Sequence, residues 1–179
     1  IFPYTTLFRS QPAEVALGFS IYALAAGFAS LIVGDVINKI KLRGSMLCSA
    51  VLFSGGFLIL GFMTELWQVY VAYIVMGIGS ALGGMVILSG IPNNWFNKRR
   101  GIAVAIVWSA MFPGSLIVGQ LVPAAVAGGN WQTAPMVLAG IAFVVLVAGA
   151  FLLRWQPQEV GLLPDGMTAE EAAAQAETR

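Results

Sequence analysis

Asn97-Lys98-Arg99-Arg100-Gly101 sets three consecutive cations between two long stretches that hold none. Residues 44–97 carry no Lys or Arg and a single acid, Glu65, while residues 101–153 carry no charge of either sign. Working outward, the other cations between Gln11 and Thr178 are Lys39, Lys41 and Arg43 on one side and Arg154 on the other. A membrane helix needs about 20 mostly apolar residues to cross about 30 Å of hydrocarbon. Each stretch free of cations accommodates a pair of such crossings and a short turn. An even number of crossings returns the chain to its starting side, so all three basic sites face one compartment. Lys and Arg in short loops mark the cytoplasmic side. The charge pattern therefore predicts an all-α, polytopic transmembrane helical bundle with its basic loops inside.

Composition agrees. Hydrophobic residues make up 59% of the chain and charged residues 9%, with a mean hydropathy of +0.86. Soluble domains carry about 25% charged residues, so the solvent of this chain is the lipid bilayer. The basic residues are too few and too dispersed for a nucleic-acid interface, which needs clustered cations against phosphates. There is no histidine, which removes His-based metal sites, catalytic triads and His proton relays. No cofactor, metal or catalytic residue is expected. The one cysteine, Cys48, lies in an apolar run. It has no internal disulfide partner and is expected to pack as a small hydrophobe.

Residues 2–10, Phe-Pro-Tyr-Thr-Thr-Leu-Phe-Arg-Ser, match codon for codon the translation of TTT CCC TAC ACG ACG CTC TTC CGA TCT, a short-read sequencing adapter. Residues 1–10 are therefore set apart from the fold. With no initiator Met before them, protein preceding Gln11 is expected to be missing. Five spans are predicted, at about 14–37, 45–63, 67–91, 101–127 and 133–153. Thr64-Glu65-Leu66 turns the second into the third, and Gly128-Gly129-Asn130-Trp131-Gln132 turns the fourth into the fifth. Trp67, Trp95, Trp131 and Trp155 fall near span ends, where an amphipathic ring suits the headgroup layer. Residues 155–179 change to Pro-, Gly- and Glu-containing loop material, a cytoplasmic segment in which Thr168 and Glu171 have capping-box spacing.

Small residues recur at helical spacing in three spans: Ala26, Ser30 and Gly34; Ser80 and Gly84 beside Gly77, Gly79 and Gly83; and Gly101, Ala105 and Ser109. Such ridges let backbones approach closely where packing drives association. These three spans are expected inside the bundle. The bulkier second and fifth are expected to face lipid. Gly77-Ile78-Gly79-Ser80-Ala81-Leu82-Gly83 superficially looks like a nucleotide loop, but no strand precedes it and a dinucleotide fingerprint needs a strand-to-helix turn. A charge at mid-membrane is costly and kept for function, and none of the five spans has one. A pathway through them must be lined by neutral groups, for which Tyr22, Tyr73, Trp108, Ser109 and Gln120 are the candidates, with a kink at Pro113. An intramembrane enzyme would need paired ionisable or nucleophilic groups at depth, and no such pair is visible.

Trp95, Phe96, Arg99, Arg100, Gly101 and Ala103 carry a resemblance to the amino-terminal half of a major facilitator superfamily transporter. The match is to its monocarboxylate and oxalate:formate antiporter-like branch, where Trp-Phe-x-x-Arg-Arg-Gly-x-Ala joins the fourth and fifth helices. Ser109, Ala110, Gly114 and Pro123 resemble the small residues and proline that come next in that branch, and Pro157, Gly161, Leu162, Pro164, Asp165 and Gly166 resemble its exit from helix six. The five spans then correspond to helices two to six, an incomplete major facilitator fold. The superfamily's loop after helix two, Gly-x-x-x-Asp-Arg-x-Gly-Arg-Arg, is matched loosely. Gly34 keeps the first Gly, Asn38 replaces the Asp, Lys39 stands for the first Arg, Lys41 for the second Gly, and Arg43 for the last basic residue. Asn38 cannot form the ion pair an Asp would. Tyr73 occupies the position where many relatives carry a membrane-embedded Arg.

The resemblance implies a secondary active transporter working by alternating access in a bacterial inner membrane, with Gly34, Asn38, Lys39, Arg43, Arg99, Arg100 and Gly101 at its cytoplasmic gate. The implied substrate is a small organic anion, a mono- or dicarboxylate, moved with a proton or against a counter-anion. The implied partners are helix one and the carboxy-terminal six-helix half, which would supply the binding cations. A non-transporting membrane receptor or scaffold on the same architecture is the alternative.

Overall fold

The computed structural model describes residues 12–96, 99–127, 130–155 and 157. Six helices follow one another: α1 (Pro12–Gly61), α2 (Leu66–Gly83), α3 (Met85–Trp95), α4 (Arg100–Ser109), α5 (Met111–Val126) and α6 (Thr133–Leu152). Four runs are long and apolar enough to cross a membrane: Ala16–Gly61, Leu66–Trp95, Arg100–Val126 and Thr133–Leu152. The readings made for residues 1–10, Asn97, Lys98, Gly128, Gly129, and the tail from 158 with Gly161, Leu162, Pro164 to Gly166, Thr168 and Glu171 lie outside the described residues.

The longest helix is two helices meeting at one residue. Lys41 alone leaves helical geometry, at φ 60° and ψ 169°, and is the one non-glycine positive φ among the described residues. Residues 12–40 and 42–61 are thus separate arms. Both lie against α2, because a Cβ on Gly77 would meet the Tyr22 carbonyl and the Ala25 side chain, while one on Gly79 would meet the backbone of Phe53. A single helix could not present residues 22 and 53 to one turn of α2, so the arms fold back on each other.

Two further breaks interrupt long helices. Gly84 (φ −103°, ψ −124°) separates α2 from α3. At Ala110 the backbone stays α-helical (φ −65°, ψ −15°), its amide donating to the Ile106 carbonyl and its carbonyl accepting from the Gly114 amide, both at 3.3 Å, between α4 and α5. Pro113 follows three residues later and has no N–H to offer the Ser109 carbonyl. The start of α2 is fixed by its sequence. The Gln68 side chain accepts from the Thr64 and Glu65 amides at 2.7 and 3.3 Å, and with the Glu65 carboxylate completes a capping box. Leu66, expected in the turn, is therefore the first helical residue.

Buried side chains gather at two ends. One cluster contains Val33, Ile37, Leu42, Met46, Leu82, Ile87 and Ala150, with Ile91, Leu153 and Trp155 packed on it. The other contains Leu60, Met63, Val69, Ala72 and Met76, with Leu66 and Trp131 against it. Lys41 adjoins Leu42 and Arg154 lies between Leu153 and Trp155, so the first cluster marks a basic end. Glu65 and the Trp131 turn mark the other.

The expected sorting of interior and lipid-facing helices is corrected in part. Small residues of α2 do pack against the arms, but α4 and α5 bury no residue, and a Cβ on Gly101, Gly114 or Gly119 would meet nothing within 4 Å. The spans expected to face lipid do pack. Residues 42–61 bury Ser45, Ser49, Ala50 and Leu60, and α6 buries Ala134, Pro135, Ala139 and Ala150. A small ridge permits close approach without supplying a neighbour. The bulk of Leu58 and Phe143 describes only the outward face of a helix whose other face is lined by Ser and Ala. Cys48 is likewise exposed, beside exposed Leu47, and does not pack as expected.

Candidate functional site

The neutral pathway candidates divide into two groups. Tyr22 and Tyr73 are half-buried and pack on the same apolar cluster. The Tyr73 ring lies over Gly18, where a Cβ would come within 2.7 Å of its Cδ2. The Tyr22 ring stacks on Phe19 at 5.9 Å. Glycine at 18 and 77 lets the first arm and α2 approach closely where both phenol rings rest on that one cluster. Trp108, Ser109 and Gln120 stand elsewhere, on the α4–α5 rod, and do not join that cluster. Ser109 is exposed and its hydroxyl donates to the Ile106 carbonyl at 2.7 Å, Gln120 is exposed, and Trp108 is half-buried. Of the five candidates, two hydroxyl-bearing rings rest on one apolar cluster, and each hydroxyl can both donate and accept a hydrogen bond.

The gate candidates sit at the basic end. Gly34, Asn38, Lys39, Arg43, Arg99, Arg100 and Gly101 are all exposed. Arg100 is oriented by its own helix start, its Nε donating to the Phe96 carbonyl at 2.9 Å. A Cβ on Gly34 would meet nothing within 4 Å among the described residues.

Sequence reasoning missed a polar seam between residues 42–61 and α2. Ser45 Oγ donates to the Leu82 carbonyl at 2.7 Å and Ser49 Oγ to the Gly79 carbonyl at 2.6 Å, both buried. The break at Gly84 leaves the last carbonyls of α2 without helical donors, and Ser45 supplies one of them. Ser45 and Ser49 are four apart and Gly79 and Gly83 are four apart, which was the available signal. Interhelical bonds of this kind contribute about 0.6 kcal/mol each on average. The double variant Ser45→Ala, Ser49→Ala is expected to lose about 1 kcal/mol, seen as a lower thermal midpoint in detergent. An unchanged midpoint would mean the seam is only packing.

The profile of the Major Facilitator Superfamily matches residues 1–175. An uncharacterized MFS-type transporter of Bacillus subtilis (strain 168), YcxA, is 26% identical over 146 residues, which is 81% of this chain and 36% of YcxA. The chain thus spans about a third of the length of this relative. It belongs to the Major Facilitator Superfamily, and with its apolar helices it is an integral, multi-pass membrane protein.

Proposed function

We propose that the chain forms helices two to six of a secondary active transporter that works by alternating access, two helical halves rocking about a midplane site. The longer protein would supply helix one and a second six-helix half, and the basic end would face the cytoplasm of a bacterium. The observation that carries this reading is the superfamily match over residues 1–175, laid on apolar helices whose described cations gather at one end. The break at Lys41 supports counting α1 as two crossings and the whole chain as five. The Trp-Phe-x-x-Arg-Arg-Gly-x-Ala run from Trp95 supports a small mono- or dicarboxylate as substrate. Tyr22 and Tyr73 would line its path as neutral partners, and Lys39, Arg43, Arg99 and Arg100 would serve the cytoplasmic gate. Transport, not catalysis, is the activity proposed.

Uptake by proteoliposomes tests the reading. The longest reading frame carrying this chain is expected to show saturable uptake of a labelled carboxylate, driven by a proton gradient or an internal counter-anion. The 179-residue chain alone is expected to show none. Carboxylate flux through this chain alone would overturn the division of labour. A complete protein that moves no solute but captures a cytoplasmic partner would favour the scaffold reading.

A further inference from the structure

The chain leaving α6 is tied to the far end of another helix. Trp95 Nε1 donates to the Arg154 carbonyl at 3.1 Å, and Asn94 Nδ2 donates to the Trp155 carbonyl at 3.1 Å. Two consecutive carbonyls just beyond α6 are therefore held by two consecutive side chains at the end of α3. The ring of Trp155 lies over Gly90, one turn back along α3, where a Cβ would collide with its outer edge. Trp155 also packs on the apolar cluster of the basic end, and Pro157 is fully buried. The helix itself has already stopped, since Leu153 is extended (φ −82°, ψ 146°) and its amide makes the last helical bond, to Gly149. The Arg154 and Trp155 carbonyls thus lie past the helical ladder, and the side-chain donors of α3 replace it.

We infer that Asn94 and Trp95 form a latch that fastens the segment following α6 to the end of α3 and shields the Arg154–Trp155 peptide bond. The latch holds Arg154 and Trp155 against α3. α3 is also separated from α2 by the break at Gly84, so the latched segment follows α3 in any reorientation about that break. The latch does not depend on what the protein transports. Trp95, placed by sequence reasoning in the headgroup layer, has its indole N–H committed to this carbonyl.

Trypsin reads the latch directly in detergent-solubilised protein, because the carbonyl that accepts from Trp95 belongs to the bond trypsin cuts after Arg154. The variants are Trp95→Phe with Asn94→Ala, which remove both donors and keep a ring, and Gly90→Leu, which unseats the Trp155 ring. In both, cleavage after Arg154 is expected to accelerate at least about tenfold, the change that goes with about 1.4 kcal/mol of lost protection. Cleavage after Arg99 and Arg100 serves as the internal reference and is expected to keep its native rate. Native-rate cleavage after Arg154 in either variant would overturn the latch. So would equal acceleration at Arg99 and Arg154, which would mean that these residues support the fold generally.

Discussion

Gly79→Leu is expected to destroy the folded bundle, while Gly119→Leu is expected not to lower its thermal midpoint. The difference lies in what a new side chain would meet. A Cβ on Gly79 would stand 2.6 Å from the Phe53 amide nitrogen and 3.0 Å from its Cα. These are backbone atoms of a helix, and no rotamer change moves them aside. Gly77 is in the same position against the first arm, 2.7 Å from the Tyr22 carbonyl and 3.1 Å from the Ala26 amide. α2 therefore touches both arms backbone to backbone through residues two apart. Overpacking that side chains can absorb costs about 1–3 kcal/mol. Here the helices must separate instead, and separation also breaks the Ser49 bond to the Gly79 carbonyl. In lipid no hydrophobic force pulls parted helices back together, so lost packing is not recovered. Gly119 has open space around it, and a leucine there improves helix propensity slightly. Size-exclusion and thermal unfolding in one detergent distinguish the pair. A Gly79→Leu protein with a native elution volume and midpoint would show that α2 does not pack on residues 42–61.

Which helices meet was less legible than that helices form. Apolar length was enough to read an all-α bundle of membrane-length helices, because every backbone group in lipid must be satisfied within its own helix. The glycines of α2 were also correctly read as contact points, since Gly77, Gly79 and Gly83 all lie against side chains or backbone of α1. At Gly101 the same ridge meets nothing within 4 Å among the described residues. A ridge of small residues is a property of one helix, whereas contact is a property of two, and no sequence signal on α4 names its neighbour. Ser45 and Ser49 were passed over because a serine in a membrane span commonly bonds its own helix, as Ser30 and Ser80 do here to Gly27 and Gly77. Only the facing glycines and the break at Gly84 distinguish the seam. In the candidate site, Tyr22 and Tyr73 share a cluster that no spacing could have announced, being on different helices and far apart in sequence. The latch on Arg154 was hidden for a further reason: its acceptors are backbone carbonyls, which every residue has.

Lys41→Gly is expected to stabilise the protein, although it removes a cation and adds chain flexibility. At φ 60° and ψ 169° Lys41 occupies a region open essentially to glycine, where another residue carries strain of about 1–3 kcal/mol. Glycine relieves that strain, and its freer unfolded chain takes back about 0.4–1 kcal/mol. A net gain of about 1–2 kcal/mol remains. At about 2–4 °C per kcal/mol for a domain of this size, the midpoint should rise by several degrees. Lys41→Ala separates the causes. Alanine removes the same charge but keeps the Cβ that makes this conformation costly, so its midpoint should not rise. If alanine and glycine raise it equally, crowding of positive charge is the cause and the backbone is not strained. Orientation in the membrane should survive both changes, because Lys39 and Arg43 still flank the reversal and orientation follows the sum of basic residues near a span end. The structure thus gives a physical reason for glycine at this position. A reversal made by one residue between two helical arms requires a backbone that Lys41 adopts only under strain.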